Sequence, residues 1–196
     1  MIYKKIFNFQ FSIFNSVKKQ KGFTVLESIV AILILSLSIS GAFSAVQQGF
    51  SQSIIAKDEI KASFLAQEAV EVIKNIRDSN QLYKIQNPST SRTWLYKIAE
   101  SGDPCGFGNT CRVDITTPTS GTYLYTCSGG WGSCNNLSQN QTNYIYAYSG
   151  ASSNFKREVQ IESISADEIS VTVRVYWTKG LVTRDFKVKT VLFDWI

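Results

Sequence analysis

From Phe23 to Val46 the chain reads FTVLESIVAILILSLSISGAFSAV, apolar or small throughout apart from Glu27, and no further charge follows until Lys57. A helix rises 1.5 Å per residue and crosses the hydrocarbon of a bilayer in roughly 20 residues, so this pattern predicts a membrane-spanning helix. Beyond it the pattern changes rather than stops. Ala62, Leu65, Ala69, Val72, Ile73 and Ile76 recur at helical spacing, while Lys61, Glu68, Glu71, Asn75 and Asp78 occupy the other side. One uninterrupted helix from about Phe23 to Asp78, on the order of 80 Å long, is expected. Its first half (23–46) is suited to lipid and its amphipathic second half (47–79) to a globular head.

Residues 80–196 make up that head. Up to Asn154 the composition shifts to Ser, Thr, Asn, Gly and Tyr, which predicts loops and short strands, with a brief helix around Thr93 to Ala99. The remainder alternates in three segments: FKREVQIESI, EISVTVRVYW and RDFKVKTVLF, with Lys179-Gly180 as the turn between the last two. Val171, Val173, Val175 and Trp177 share one face of their strand, and Phe186, Val188 and Leu192 share one face of theirs. The predicted fold class is α+β. A C-terminal antiparallel sheet in meander order turns its apolar face to the amphipathic half of the long helix.

Charge and composition narrow the function. At 196 residues the chain is sized for one core with an appendage. Histidine is absent, which removes histidine-based acid/base catalysis, Ser-His-Asp and Cys-His nucleophiles and most catalytic zinc sites. The formal charge of +5 is carried by Lys4, Lys5, Lys18, Lys19 and Lys21, and the fifteen basic residues from Phe23 onward balance fifteen acidic ones. The basic excess is therefore an N-terminal tag, and no nucleic-acid partner is predicted. By the positive-inside rule the first 22 residues stay cytoplasmic and the head is exported.

Cys105, Cys111, Cys127 and Cys134 all lie on the exported side, in an oxidising compartment, and their spacing is wider than that of most zinc knuckles. Disulfides are expected. The glycines of CGFGNTC and CSGGWGSC would let small rings close and favour Cys105–Cys111 and Cys127–Cys134. A hairpin of RVDIT with TYLYT would instead set Cys111 against Cys127. No phosphate loop, metal-ligand cluster or paired-carboxylate site is discernible, so neither a catalytic residue, a metal nor a cofactor is expected. Tyr123, Tyr125, Trp131, Tyr144, Tyr146 and Tyr148 are read as core and hairpin packing in preference to a ligand-binding tip.

The run KKQKGFTVLESIVAILIL resembles the type IV prepilin signal: basic residues, glycine, phenylalanine, an acid at the fifth mature position, then a continuous apolar helix. LAQEAVEVIKNIRD is also similar to the corresponding stretch of minor pilins and pseudopilins. The resemblance implies that residues 1–22 form a leader, that prepilin peptidase cuts between Gly22 and Phe23, and that Phe23 becomes N-methylated. Glu27 is then the assembly glutamate, neutralising a neighbouring subunit's N-terminal amine. The implied partners are that peptidase, other pilin or pseudopilin subunits, an inner-membrane assembly platform and the membrane itself. The implied localisation is a single-pass inner-membrane protein that passes into a cell-surface or periplasmic filament, with a structural and not an enzymatic role. Absence of a proline before Pro88 favours a minor pilin or pseudopilin over a major pilin.

An ordinary secretory signal is the rival, since Ser40-Gly41-Ala42 has the small residues of a cleavage site and would leave Phe43 as the new terminus. The product would be a secreted or signal-anchored binding domain without a filament. Glu27 weighs against it, because an acid within a membrane helix costs roughly 2.5–3.5 kcal/mol on insertion scales and a disposable signal has no use for one.

Overall fold

A computed structural model describes residues 22–116 and 122–195. The leader expected over residues 1–22 therefore lies, up to its last residue, outside the described residues. Helix α1 (Val25–Gln86) is 62 residues long and unbroken. Eight strands follow: β1 (Thr110–Val113), β2 (Leu124–Thr126), β3 (Ser138–Gln139), β4 (Tyr146–Ala147), β5 (Ala151–Ser152), β6 (Phe155–Ser163), β7 (Glu168–Lys179) and β8 (Val182–Phe193). By compactness the chain divides between Phe50 and Ser51. The fold is α+β, a long helix packed on an antiparallel sheet.

Both ends of α1 have local causes. Thr24 is the N-cap, its Oγ1 accepting the Glu27 amide at 3.2 Å while its carbonyl accepts the Ser28 amide. At the far end Asn87 donates its amide and its side chain to the Tyr83 carbonyl, and Pro88 turns the chain away from helical geometry. The helix thus runs past Asp78, because Asn80 and Gln81 are buried and partnered and not the start of a loop. Asn80 Nδ2 donates to the carbonyls of Trp94 and Tyr96, and Gln81 Nε2 donates to Asp194.

In the head, the main sheet is antiparallel with strand order β2-β1-β6-β7-β8, and a small second sheet has the order β4-β3-β5. Ala62, Leu65, Ala66, Ala69 and Ile73 of α1 share one buried core with Phe155, Val159 and Ile161 of β6 and Val171, Val173, Val175 and Trp177 of β7. On β8, Phe186 and Val188 lie opposite Val175 and Val173, and Leu192 opposite Ile169, which extends the same apolar face to the sheet edge. Three small alanines on the helix let it approach the branched side chains of the sheet closely, which favours dense packing. Two local expectations are corrected. Residues 94–99 form successive turns and no helix, because Lys97 sits at φ 60° and interrupts helical geometry. The β7–β8 turn is Gly180-Leu181, one residue later than expected, since Lys179 still pairs with Val182.

Arg157, in the middle of β6, is fully buried and faces the helix. Its guanidinium donates to the Leu65 carbonyl at 3.0 Å, to the Val113 carbonyl at 2.8 Å and to the Glu68 carboxylate. One side chain therefore ties α1, β1 and β6. Its neighbour Glu158 points to the opposite face, is also buried, and accepts the amides of Gly132 at 2.6 Å and Cys134 at 2.7 Å. Tyr148 is half-buried nearby, with Arg112 over its ring at 4.4 Å. Burial pushes its phenol up to about 12, against the downward pull of Arg157 and Arg112.

Two measurements test this interior. Removing Glu68 strands a buried guanidinium, so Glu68→Ala should cost about 3 kcal/mol in denaturant unfolding of the head. Glu71, exposed to 69% in a local pair with Lys74, should cost under about 1 kcal/mol on the same change. The phenol gives a pH signature. Between its ordinary value of 10 and its folded value of about 12, the folded state keeps a proton that the unfolded chain has lost. This contribution is complete below pH 10 and disappears as pH rises through about 12, so the stability of wild type should fall more steeply over that window than that of Tyr148→Phe.

Candidate functional site

The chemistry expected of this chain is concentrated at the start of α1. Gly22 and Phe23 are exposed and precede the N-cap, and Glu27 is the third helical residue, in the first turn. Thr24 and Glu27 stand in the order of a capping box, so the sequence TVLE both starts the helix and places a carboxylate where the unpaired amides of the helix end favour negative charge. Among the described residues no cation lies within ion-pairing distance of Glu27. A Cβ built on Gly22 would meet nothing within 4 Å, and the residue does not adopt a left-handed conformation. Among the described residues nothing requires glycine there.

Apolar side chains follow in an unbroken, exposed sleeve. Val25, Leu26, Ile29, Ile32, Leu33, Leu35, Leu37 and Phe43 are all more than half exposed, and no residue of the most apolar 18-residue window of α1 is buried by the rest of the chain. So large a continuous apolar surface demands a cover of lipid or of other apolar helices. Ser36 and Ser38 satisfy their hydroxyls on the carbonyls of Ile32 and Ile34, one turn back, which keeps the polar atoms of the sleeve inside the helix.

The cysteines lie in the head, in two bonds. Cys105 is bonded to Cys111 and Cys127 to Cys134, with Cα separations of 5.2 and 5.1 Å. Strand register accounts for the absence of a Cys111–Cys127 bond. Cys111 pairs across the β1–β2 ladder with Thr126, so Cys127 is one residue out of step and its side chain is directed to the other face. The hairpin and the local bonds therefore coexist; residues 117–121 of its connection lie outside the described residues. Cys105 and Cys111 are fully buried in the main core, whereas the second bond ties down the loop held by Glu158.

The aromatic group divides. Tyr146 packs edge-on against Phe155 at 5.8 Å, Tyr125 and Tyr148 flank Arg112, and Tyr144 is exposed at φ 59°. Arg157 and Glu158 were not identifiable as key residues from charge alone. The available signal is parity: Arg157 falls on the face of Phe155, Val159 and Ile161, where an apolar residue is expected.

Residues 17–43 match the family model of the prokaryotic N-terminal methylation motif. Neither the curated proteins nor the solved structures contain a significant match to the chain. The matched segment covers the glycine, the phenylalanine, the glutamate and most of the exposed apolar sleeve.

Access to sulfur controls thiol exchange, and Cys127 is partly exposed while both partners of the other bond are buried. A mild thiol reductant under native conditions should therefore open Cys127–Cys134 first, as read by alkylation and peptide mass. Loss of Cys105–Cys111 should cost about 2 kcal/mol or more. Simultaneous opening of both bonds would contradict the burial difference.

Proposed function

We propose, from the premise that this is a type IV prepilin-like chain and a substrate of prepilin peptidase, that it serves as a minor pilin or pseudopilin: a structural subunit of a type IV pilus or a type II secretion-like filament. The peptidase removes residues 1–22 between Gly22 and Phe23, and Phe23 is methylated. The helix from 23 to 46 anchors the subunit in the inner membrane with its N-terminus cytoplasmic, and then packs among the helices of other subunits on the assembly platform. Residues 47–79 continue it into the exported head formed by 80–196.

The observation that carries this reading is a membrane-length apolar stretch of α1 left uncovered by its own chain, with Glu27 in the first turn of the helix. A buried carboxylate needs a counter-charge, and a neighbour's free N-terminal amine, augmented by its helix dipole, supplies one. Correct axial register between subunits is then the arrangement in which every such charge is neutralised. That Gly22 is dispensable to the fold supports a role for it in recognition by the peptidase.

Intact mass tests processing. The mature chain should begin at methylated Phe23 and keep its apolar helix; a chain beginning at Phe43 would instead establish the secreted binding-domain reading. Glu27→Gln keeps the shape and removes the charge, so it should be cleaved nearly as wild type yet accumulate in the inner membrane as processed monomer. Gly22→Leu should stop earlier, as full-length precursor. Filament entry by Glu27→Gln at the wild-type level would show that charge pairing does not drive assembly.

A further inference from the structure

The β7–β8 hairpin ends in the two-residue turn Gly180-Leu181, with Gly180 at φ 61° in the first central position, where a tight hairpin of this class requires glycine. Leu181, beside it, is completely exposed and has no packing role in the head. Val182 and Ile54 are also exposed, and together with Ser51, Trp177, Lys179 and Arg184 they line a groove of about 340 Å³ between the hairpin and the first turns of α1 within the head. Lys179 and Arg184 outnumber the one acid of the groove, Asp58. The neighbouring Asp185 is paired with Arg174 at 3.1 Å.

Covalent connection fixes what lies close to this hairpin. Ser51 follows Val46, the end of the membrane stretch, by five residues, about 8 Å of helix. Headgroups add roughly 5–8 Å on each side of the hydrocarbon, so Ser51 stands at headgroup level, and any tilt of the helix only lowers it. We propose that the Gly180-Leu181 hairpin tip is a membrane-contact element: while the subunit resides in the bilayer, Leu181 and Val182 insert at the outer interface, and Lys179 and Arg184 engage anionic phospholipid headgroups. The occupant is lipid because lipid is the medium that the anchor already places within reach, and because the tip combines exposed aliphatic side chains with flanking basic ones, the composition suited to that interface. The inference rests on residues 23–46 being the membrane anchor.

The test uses the full processed chain in bilayers of phosphatidylethanolamine and phosphatidylglycerol. The head's cysteines are all bonded, so an introduced cysteine can be labelled alone with an environment-sensitive fluorophore. Leu181→Cys should lose at least half its fluorescence to lipids spin-labelled high on the acyl chain. Ile164→Cys, exposed in the turn at the opposite end of β7, should be unaffected. Lys179→Glu with Arg184→Glu should at least halve the quenching at 181, and unchanged quenching would overturn the role of the two bases. Ile34→Cys reports the anchor itself: quenching there without quenching at 181 overturns the contact and leaves the anchor standing, whereas no quenching at either site removes the anchor and the contact together. Quenching at 181 that appears only when the protein is diluted in lipid would identify a second copy of the chain, which carries no quencher, as the occupant and overturn lipid docking.

Discussion

The head is organised around a buried charge that cannot be left alone. Arg157 is fully buried, and its two terminal nitrogens, Nη1 and Nη2, are satisfied only when the Leu65 carbonyl, the Glu68 carboxylate and the Val113 carbonyl converge on them. These partners come from the helix and from the strand beside β6, so the requirement of one side chain fixes where α1 crosses the sheet and how deep it sits. An apolar residue at 157 would accept many helix positions at similar cost; a buried guanidinium accepts few. Glu158 imposes the matching constraint on the opposite face, where two backbone amides of the disulfide loop must meet its carboxylate. Adjacent residues of one strand thus hold a layer on either side of the sheet.

The helix serves two environments with one backbone. Its early turns expose apolar side chains on all sides, and its later turns bury a narrow stripe of small residues against β6 and β7. Sequence chemistry changes gradually, by the appearance of Lys57, Asp58 and Glu59, while the hydrogen-bonded helix does not break until Pro88. Only Gly41 and Gly49 are present as soft points, and neither interrupts α1.

Periodicity made the helix, its two halves, the three C-terminal strands and their apolar faces legible, because each signal extends over many residues and agrees with local propensity. What depended on three-dimensional register was not. The choice between bonding Cys111 locally or to Cys127 turns on Thr126, and not Cys127, lying opposite Cys111, a one-residue matter that composition cannot convey. The helix end was misplaced because Asn80 and Gln81 look like loop residues until the carbonyls of Trp94 and Tyr96 and the carboxylate of Asp194 are known to meet them. Turns replaced the short helix at residues 94–99 because Lys97 adopts a left-handed conformation that its sequence neighbours do not announce. Arg157 was hidden in an alternating strand, visible only as a charge on the apolar parity. At the N-terminus the motif is short and contiguous, and Gly22, Phe23 and Glu27 stand out before any packing is known.

The latches along the second half of α1 also define a load path. Arg157 grips the helix at Leu65 and Glu68, Arg77 donates to the Phe193 carbonyl, and Asn80 and Gln81 hold the segments at Trp94 and Asp194. Tension applied along the helix axis would draw on these bonds together, in shear, and would not peel them off one at a time. Resistance to pulling is governed by the rate of unfolding and not by equilibrium stability alone. A head attached in this way can be of ordinary thermodynamic stability and still transmit a steady axial force without parting from its helix.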